Sequence, residues 1–415
     1  MRILHVVQGY YPAIGGTERL IQKVSENLVA NYGDEVTVFT TTAYNCELFW
    51  RSDQPQMEAG ISTLNGVTIR RFPVFNKFNE LRRVLAGGAY TLRLPFNDRL
   101  RALYNGPLVP GLAKTIAHAG ADVVAASSFP LLHMHASVKG GRRAGVPVVL
   151  YGGIHTEDDF GFNRPMIYKA IQQANAYIAY TSFEKRYLVT KGIAPDKITP
   201  VGVGVDVDVI AQGNGRVVRD RFGWTADVPV IAYIGQQVPH KGVDMIMEAM
   251  PVIWETHPET CLLIAGARST YTAVIEQWRQ HLPPHQQKQV GLIINFAEDE
   301  KPHLFHAADM VLYPSAHESF GIVFLEAWAA QKPVIGINIG AIPDVITHEK
   351  DGLLIEHRSI PQLILAIQQL LANPDTRKQM GAAGHQKVLT HYTWDIVTDK
   401  FRQIYQHAIN SLSPL

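Results

Sequence analysis

Residues 1–41 read MRILHVVQGYYPAIGGTERLIQKVSENLVANYGDEVTVFTT, and this stretch decides the fold class. Ile3–Val7 is a continuous apolar run that predicts a buried strand, Gln8–Thr17 is a Gly- and Pro-containing loop, and Glu18–Ala30 has the period of an amphipathic helix. Glu35–Thr41 predicts a second strand. A strand, a helix and a strand in this order form one βαβ unit, whose two strands run parallel.

The alternation of strands and helices continues along the chain and restarts after Trp224. The second series predicts a helix at Gly242–Met250 and strands at Val228–Ile234, Thr260–Ala265 and Ile293–Asn295. We therefore predict two doubly wound α/β domains with parallel sheets, residues 1–203 and 204–394. The Gly- and Val-rich stretch Ile198–Asp208 is the predicted linker, and the apolar stripe of the final helix, in residues 395–415, predicts packing back on the first domain.

Composition restricts the partners and the compartment. The chain has 415 residues, 38 Lys plus Arg and 37 Asp plus Glu, so its net charge of +1 provides no global field for nucleic acid. The two cysteines, Cys46 and Cys261, form neither a zinc motif nor a disulfide framework. No signal peptide and no run of about 18 apolar residues is recognisable. These features predict a cytoplasmic protein that binds no nucleic acid and is at most peripheral to a membrane.

Residues 70–105 differ from the rest of the chain in charge. Eight basic residues in this segment face only two acidic ones, and aromatic residues are interspersed. One interpretation is a solvated helical face. The other is a contact with an anionic acceptor or with an anionic membrane surface, which basic amphipathic segments bind.

The sharpest chemical signal is Tyr313–Trp328, which reads YPSAHESFGIVFLEAW. A strand ending near Tyr313 is followed by a loop with Glu318 and by a helix that begins around Phe320 and carries Glu326 in its second turn. The first N–H groups of a helix are unpaired and lie at the positive end of its dipole. The predicted phosphate seat therefore consists of the amides of Phe320, Gly321, Ile322 and Val323. In a plainer interpretation Glu318 is a surface carboxylate and Glu326 pairs with a neighbouring base.

Residues 307–354, AADMVLYPSAHESFGIVFLEAWAAQKPVIGINIGAIPDVITHEKDGLL, resemble the nucleotide-sugar site of the GT-B glycosyltransferases of family 4, which carry the E-x7-E signature. The resemblance extends to Gly15–Glu18, to Thr181–Asp206 (TSFEKRYLVTKGIAPDKITPVGVGVD) and to Ile234–Gly242 (IGQQVPHKG). It implies the GT-B fold: two doubly wound parallel-sheet, Rossmann-like domains facing a central cleft.

The resemblance also implies roles for individual residues. Glu326 would hold the ribose hydroxyls, Glu318 would contact the transferred sugar, and Lys241 would bind the donor diphosphate. The backbone of Gly15 and Gly16 would close on the same phosphates. His155, in GGIHTEDDF, would lie beside the sugar and the acceptor as a further catalytic residue, and the nucleobase would rest near Phe296 and Lys301.

One position departs from the family pattern. Relatives usually read Gly-Arg where this chain reads Gly235-Gln236, so an arginine is missing from the diphosphate clamp. Glutamine donates hydrogen bonds but carries no charge, and a hydrogen bond to a charged group is worth about 1.5–3 kcal/mol against about 1 for a neutral one. We expect lower donor affinity or slower turnover, or else a repurposed site.

The resulting hypothesis is a retaining transferase that moves a sugar from a UDP-, GDP- or ADP-linked donor to a hydroxyl acceptor without a metal or other cofactor. Two alternatives remain: a sugar-nucleotide-binding protein of weakened activity, and a phosphorylase or epimerase of the same fold. Asp206-Val207-Asp208 is formally a manganese-binding D-x-D, but it coincides with the linker. The pairs His133–His135 and His303–His306 have no acidic or Cys partner at a metal-site spacing, which favours structural histidines.

Overall fold

The computed structural model describes residues 1–13 and 15–411, and the chain divides into two compact units. Unit 1 is Met1–Val203 together with the stretch that begins at Trp394, and unit 2 is Gly204–Thr393. Residues 412–415 of the predicted last helix lie outside the described residues.

Unit 1 is built on one sheet. Its strands are β1 (Arg2–Val6), β2 (Glu35–Thr41), β3 (Gly60–Leu64), β4 (Val67–Phe72), β5 (Val123–Ser127), β6 (Val148–Tyr151), β7 (Ala176–Ala179) and β8 (Ile198–Pro200). They lie in the order β3-β4-β2-β1-β5-β6-β7-β8. All neighbouring strands pair in parallel except β3, which pairs antiparallel with β4 at the edge.

The helices of unit 1 that precede unit 2 are α1 (Gly16–Tyr32), α2 (Asn79–Thr91), α3 (Asn97–Asn105), α4 (Leu112–Ala117), α5 (Leu132–Ala144), α6 (Pro165–Gln173) and α7 (Ser182–Thr190). Short 3-10 turns occupy Cys46–Phe49 and Pro195–Lys197. The strands are buried apolar runs, as parallel strands are, and one face of β1, β5, β6 and β7 forms a continuous core with apolar side chains of α4, α5, α6 and α7.

Unit 2 has a second, wholly parallel sheet. Its strands are β9 (Val230–Ile234), β10 (Cys261–Gly266), β11 (Val290–Ile294), β12 (Met310–Leu312), β13 (Val334–Ile337) and β14 (Gly352–Ile355), in the order β11-β10-β9-β12-β13-β14. Its helices are α8 (Val207–Ala211), α9 (Gly215–Phe222), α10 (Val243–Thr256), α11 (Thr272–His281), α12 (Pro284–Gln289), α13 (Lys301–Ala307), α14 (Ile322–Ala329), α15 (Ile342–Val345), α16 (Ile360–Ala372) and α17 (Pro374–His391). A 3-10 turn, Pro239–Lys241, precedes α10. The prediction of two α/β units built on parallel sheets is confirmed.

The last helix, α18 (Trp394–Asn410), returns to unit 1 and packs on α1. Arg402 Nε lies 2.9 Å from Asp34 Oδ2, whose side chain is buried. Tyr405 OH lies 3.1 Å from Nε2 of the buried His5 on β1, and His5 Nδ1 lies 2.6 Å from Ser25 Oγ on α1. These polar contacts fix α18 against the first βαβ unit.

Several predicted element boundaries differ from the observed ones by one or more residues. Helix α1 begins at Gly16, two residues before Glu18, because the Gly15 carbonyl accepts the N–H of Arg19 at 2.9 Å and so opens the first turn. The predicted linker, Ile198–Asp208, contains the boundary between the two units at Val203 and Gly204, and it also contains β8, which pairs with β7, and the start of α8 at Val207. Asn295 does not belong to β11, because its φ of 57° lies in the left-handed region and ends the strand.

Strand order determines where a ligand site can form. In each sheet the first strand has its successor on one side and a later strand on the other: β1 lies between β2 and β5, and β9 lies between β10 and β12. Loops that follow such neighbouring parallel strands diverge and leave a crevice at the carboxyl edge of the sheet. In unit 2 these are the loops after β9 and β12, which carry most of the predicted site residues.

Candidate functional site

The loops that follow β9 and β12 are packed against each other. Tyr233 and Tyr313, at the ends of the two strands, stack with ring centroids 5.6 Å apart. A Cβ on Gly235 would lie 2.5 Å from Tyr313 Cε2, and a Cβ on Gly242, whose φ is 83°, would clash with the Pro314 carbonyl oxygen. Glycine is therefore required at both ends of the β9 loop, because only a bare backbone fits beside the β12 loop.

Lys241 and Glu318 form an ion pair across these two loops. Lys241 Nζ lies 2.5 Å from Glu318 Oε1 and donates to the carbonyl oxygen of His317 at 3.3 Å. Ser315 Oγ donates to the same Glu318 oxygen at 2.9 Å. The side chains of Lys241 and Glu318 are only 17% and 13% exposed, so their charges act in a largely desolvated place.

Helix α14 starts beside this ion pair. It begins at Ile322 rather than around Phe320, because Gly321 adopts a φ of 86° and its carbonyl accepts the N–H of Phe324 at 3.0 Å. Phe320 instead packs edge-on against Tyr392, with centroids 5.6 Å apart. The amides of Ile322 and Val323 form the first turn and have no acceptor among the described residues. Of the four residues predicted to form the phosphate seat, Ile322 and Val323 thus lie in the first turn of α14, Gly321 is its cap, and Phe320 precedes the helix.

Glu326 lies in the second turn of α14 and is paired with Lys301, the first residue of α13. Lys301 Nζ is 3.1 Å from Glu326 Oε1 and also 3.1 Å from Glu298 Oε2. The Glu326 side chain is 14% exposed. The plainer interpretation of Glu326, pairing with a neighbouring base, thus describes its contact in this structure.

The carboxylates of Glu318 and Glu326 both raise the pKa of Tyr313. Burial raises the pKa of Tyr313 well above its ordinary range, and the negative charges of Glu318 and, more weakly, Glu326 raise it further. Both Lys–Glu pairs are therefore placed at one end of one sheet. Phe296, by contrast, is half-buried in the loop after β11 and makes no ring contact with these groups.

Gln236 presents an unpaired side-chain amide on the loop after β9 among the described residues. Its carbonyl oxygen accepts from Tyr233 OH at 2.5 Å, while its side chain is exposed and has no hydrogen-bond partner among the described residues. The neighbouring Gln237 is fully buried and accepts from Thr272 Oγ1 at 2.7 Å. Sequence reasoning did not identify Gln237, because two adjacent glutamines give no signal of which one is buried.

In unit 1, Gly15 and Gly16 lie at the start of α1, after β1. The carboxylate of Glu18 folds back over Gly15, so that any Cβ at Gly15 would clash with it. Gln8 Nε2 donates to Glu18 Oε1 at 2.8 Å, and burial raises the pKa of Glu18. The absence of a side chain at Gly15 thus makes room for an acidic group at the helix start.

His155 also lies at the carboxyl edge of the unit 1 sheet, after β6. Its ring is exposed and meets Phe162 edge-on, with centroids 5.0 Å apart. The loop before it is held by Glu184, a buried carboxylate that accepts the N–H groups of Gly153 and Ile154, both at 3.1 Å. Glu184 accepts two further hydrogen bonds, from Tyr177 OH at 2.6 Å and from the N–H of Tyr180 at 2.7 Å.

Glu184 is a positioning residue that the sequence analysis did not assign. Burial raises its pKa, although the four hydrogen bonds counteract that effect. Thr181 caps α7 by accepting the N–H of Glu184 at 3.3 Å. The pattern Thr-x-x-Glu is the signature of a capping box and was a usable signal for α7. It did not predict that the carboxylate would reach the loop that carries His155.

Three of the four predicted structural histidines have hydrogen-bond partners inside the fold. His133 Nε2 lies 2.6 Å from the Ser127 carbonyl, His303 Nδ1 accepts the N–H of Asn214 at 2.8 Å, and His306 Nε2 lies 3.0 Å from the Ile210 carbonyl. Within residues 1–13 and 15–411 no three His, Cys, Asp or Glu side chains are grouped so that they could hold a metal ion. In the same residues, every helix is too short or too polar to span a bilayer.

Two protein-family models match consecutive parts of the chain. Residues 14–209 match the model described as Glycosyltransferase Family 4, and residues 217–387 match the model described as Glycosyl transferases group 1. A D-inositol 3-phosphate glycosyltransferase of Corynebacterium glutamicum (strain R) is 29% identical over 226 residues, which cover 52% of this chain and 53% of that relative. The chain thus spans about half the length of the curated relatives it matches.

Solved structures show the same fold over nearly the whole chain. A glycosyltransferase from Rickettsia africae ESF-5 matches with a TM-score of 0.72 and 18% identity over 98% of both chains. Anabaena HepE, crystallised with UDP and glucose, matches with a TM-score of 0.73 and 16% identity over 98% of this chain and 100% of HepE. At these identities the likeness concerns the fold.

Proposed function

Since the chain belongs to the family 4 glycosyltransferases of the GT-B fold, we propose that it transfers a sugar from a nucleotide-diphosphate donor to a hydroxyl acceptor. The observation that carries this proposal is the desolvated Lys241–Glu318 pair beside the open amides of α14. A lysine charge and two free N–H groups at a helix N-terminus together suit a diphosphate.

In the proposed reaction the bond from the anomeric carbon to the donor phosphate breaks, and a bond from that carbon to the acceptor oxygen forms. The acceptor proton passes to an oxygen of the departing diphosphate, and the anomeric configuration is retained. Negative charge on the leaving group increases as the bond breaks. Lys241 Nζ and the amides of Ile322 and Val323 would stabilise that charge without a metal.

Glu318 and Glu326 would then accept donor hydroxyls. Binding of the diphosphate to Lys241 draws the lysine charge away from Glu318, whose carboxylate becomes an acceptor for the transferred sugar. Glu326, held by Lys301 at 3.1 Å, would accept the ribose hydroxyls. A UDP-linked hexose is the first donor to test, because HepE was crystallised with UDP-glucose, and GDP- and ADP-linked sugars are the next.

The test measures release of nucleoside diphosphate from UDP-, GDP- and ADP-glucose, with and without an acceptor and with and without EDTA. Lys241→Met is expected to lower kcat/KM roughly 30- to 1,000-fold. This corresponds to about 2–4 kcal/mol of lost transition-state stabilisation, as expected when one donor to a developing anion is removed. Lys350→Met is the matched control, since Lys350 is an exposed lysine of unit 2. Normal turnover of the Lys241 variant, or release that requires inorganic phosphate, would contradict the proposal.

A second candidate function, binding of a nucleotide sugar with little turnover, is favoured by Gln236. Its neutral amide stands at the position where the family resemblance implies a charged arginine, and it has no partner among the described residues. A weak clamp still binds the donor but stabilises the leaving group less. Donor binding with no release of nucleoside diphosphate from any donor of the panel would support this function over transfer.

A further inference from the structure

Helix α2 carries its large apolar side chains on its outer face. The residues on its inner face are Arg82, Ala86 and Ala89, at the i, i+4 and i+7 positions of one side. The outer side carries Leu81, Val84 and Leu85, and Val84 is 65% exposed. An amphipathic helix of a soluble domain normally has the opposite arrangement, with its apolar stripe towards the core.

The exposed apolar surface continues beyond both ends of α2. Phe78 caps the helix and is 71% exposed, and Leu92 follows its end and is also 71% exposed. Phe96, at the cap of α3, is exposed as well. We call Phe78, Leu81, Val84, Leu85, Leu92 and Phe96 the apolar face of α2–α3. Six large apolar side chains exposed on two helices that pack on each other indicate an interaction surface.

A basic groove adjoins this face. Helices α3, α5 and α6 line a cavity of about 530 Å³ whose charged side chains are all cationic: Arg99, Lys139, Arg142, Arg143 and Lys169. None of the five forms an ion pair or a side-chain hydrogen bond with another described residue. His135 also lines the groove, and its Nε2 is buried without a partner. Five uncompensated cations around one cavity predict an anionic ligand.

The groove and the apolar face meet on α3. Phe96 caps this helix and Arg99 lies three residues later, on the same side. Arg101 does not contribute, because it is 3% exposed, paired with Asp98 at 2.6 Å and placed over the Tyr90 ring. The surface therefore combines apolar side chains with unpaired cations, which neither a soluble phosphate nor a nucleic acid backbone would require.

We propose that unit 1 docks on an anionic lipid bilayer, with the apolar face of α2–α3 inserted at the interface and a lipid phosphate seated in the basic groove. Amphipathic helices bind bilayers in this way when the apolar side is flanked by Lys and Arg. Charge complementarity selects the bilayer over a second copy of the chain, because two copies of the groove would repel each other. The proposal does not depend on the transferase activity.

The experiment is flotation of the full chain with vesicles of phosphatidylcholine alone and of phosphatidylcholine mixed with phosphatidylglycerol. We expect binding to the mixed vesicles only, weakened by salt. Each basic residue near such a surface contributes about fivefold in affinity, so the triple variant Lys139→Gln/Arg142→Gln/Arg143→Gln should lose roughly 100-fold. Its matched control, Lys288→Gln/Lys350→Gln/Lys378→Gln, removes three exposed lysines of unit 2 and should retain binding.

The apolar contribution is tested separately. Leu81→Ser/Leu85→Ser should reduce vesicle binding, whereas Val217→Ser/Leu365→Ser, which changes two exposed apolar residues of unit 2, should not. Circular dichroism of each variant checks the fold. Absent binding to mixed vesicles, or binding that the groove variant leaves intact, would overturn the proposal. Two further outcomes would also overturn it. In the first, the unsubstituted chain and the Leu81/Leu85 variant bind polyphosphate or RNA as tightly as the unsubstituted chain binds the mixed vesicles. In the second, the Leu81/Leu85 substitutions convert a dimer into a monomer and leave vesicle binding unchanged.

Discussion

The substitution Glu184→Gln is expected to destabilise unit 1 by about 1–3 kcal/mol, and Glu184→Ala by considerably more. Glu184 Oε1 accepts three hydrogen bonds, from Gly153 N–H, Ile154 N–H and Tyr177 OH, whereas Oε2 accepts one, from the N–H of Tyr180. The carboxylate therefore ties the loop before His155 to β7 and to α7.

The expected loss of unfolding free energy depends on how many of the four hydrogen-bond acceptor positions of Glu184 each variant retains. Glutamine keeps an oxygen in place of Oε1, so three hydrogen bonds remain, and its NH2 group faces only the N–H of Tyr180. The N–H of Tyr180 loses its acceptor and the NH2 group gains none, and since a buried donor without an acceptor costs about 1–3 kcal/mol, the upper part of this range is expected. Alanine leaves all four donors without an acceptor, which gives about 4 kcal/mol even at the lower limit for each donor.

The assay is calorimetric unfolding of the full chain, following the transition of unit 1. A loss of 1 kcal/mol corresponds to roughly 2–4 °C in Tm for a unit of this size. Glu58→Gln is the control, since Glu58 is an exposed glutamate of the same unit with no side-chain partner among the described residues. If glutamine destabilises as much as alanine, the charge rather than the acceptor geometry holds the loop, and the reasoning is refuted.

Three further outcomes are expected. Glu326→Ala should weaken UDP binding by about 1–3 kcal/mol in titration calorimetry, because the ribose hydroxyls lose an acceptor; unchanged affinity would mean that the ribose lies elsewhere. Gln236→Arg should strengthen donor binding by up to about 2 kcal/mol through a charge-assisted bond, and weaker binding would show a site reshaped around glutamine. Burial lowers the pKa of His5 from 6.5 to about 3. The unfolded chain therefore binds the proton more tightly, so the free energy of unfolding should fall as pH drops from 6.5 towards 3, and His5→Gln should flatten this slope in urea titrations.

Much of the fold could be predicted, because buried parallel strands are continuous apolar runs. Glu35–Thr41 was predicted with its observed bounds, and Val228–Ile234 was predicted to within two residues of β9. Helix starts were less accurate. At Gly15 and Gly321 a glycine signals a turn in the sequence, but its carbonyl already accepts a first hydrogen bond of the helix turn in the structure. Strand β8 was missed because its three residues depend on pairing with β7.

The candidate site was predictable in part. The spacing of Glu318 and Glu326 placed one carboxylate before a helix and one on it, and the structure has this arrangement. Their lysine partners could not be assigned by spacing, because Lys241 and Lys301 come from other loops of the sheet. Counting charges in residues 70–105 likewise could not show that Arg101 is buried. Such contacts are tertiary and leave no local pattern.

The central claim is that the donor diphosphate binds to Lys241 beside α14. A crystal structure of the full chain with UDP tests it most directly. We predict phosphate oxygens within hydrogen-bond distance of Lys241 Nζ and of the Ile322 and Val323 amides, with the ribose hydroxyls on Glu326. UDP bound at any other place, with the Lys241–Glu318 pair undisturbed at 2.5 Å, would contradict the claim.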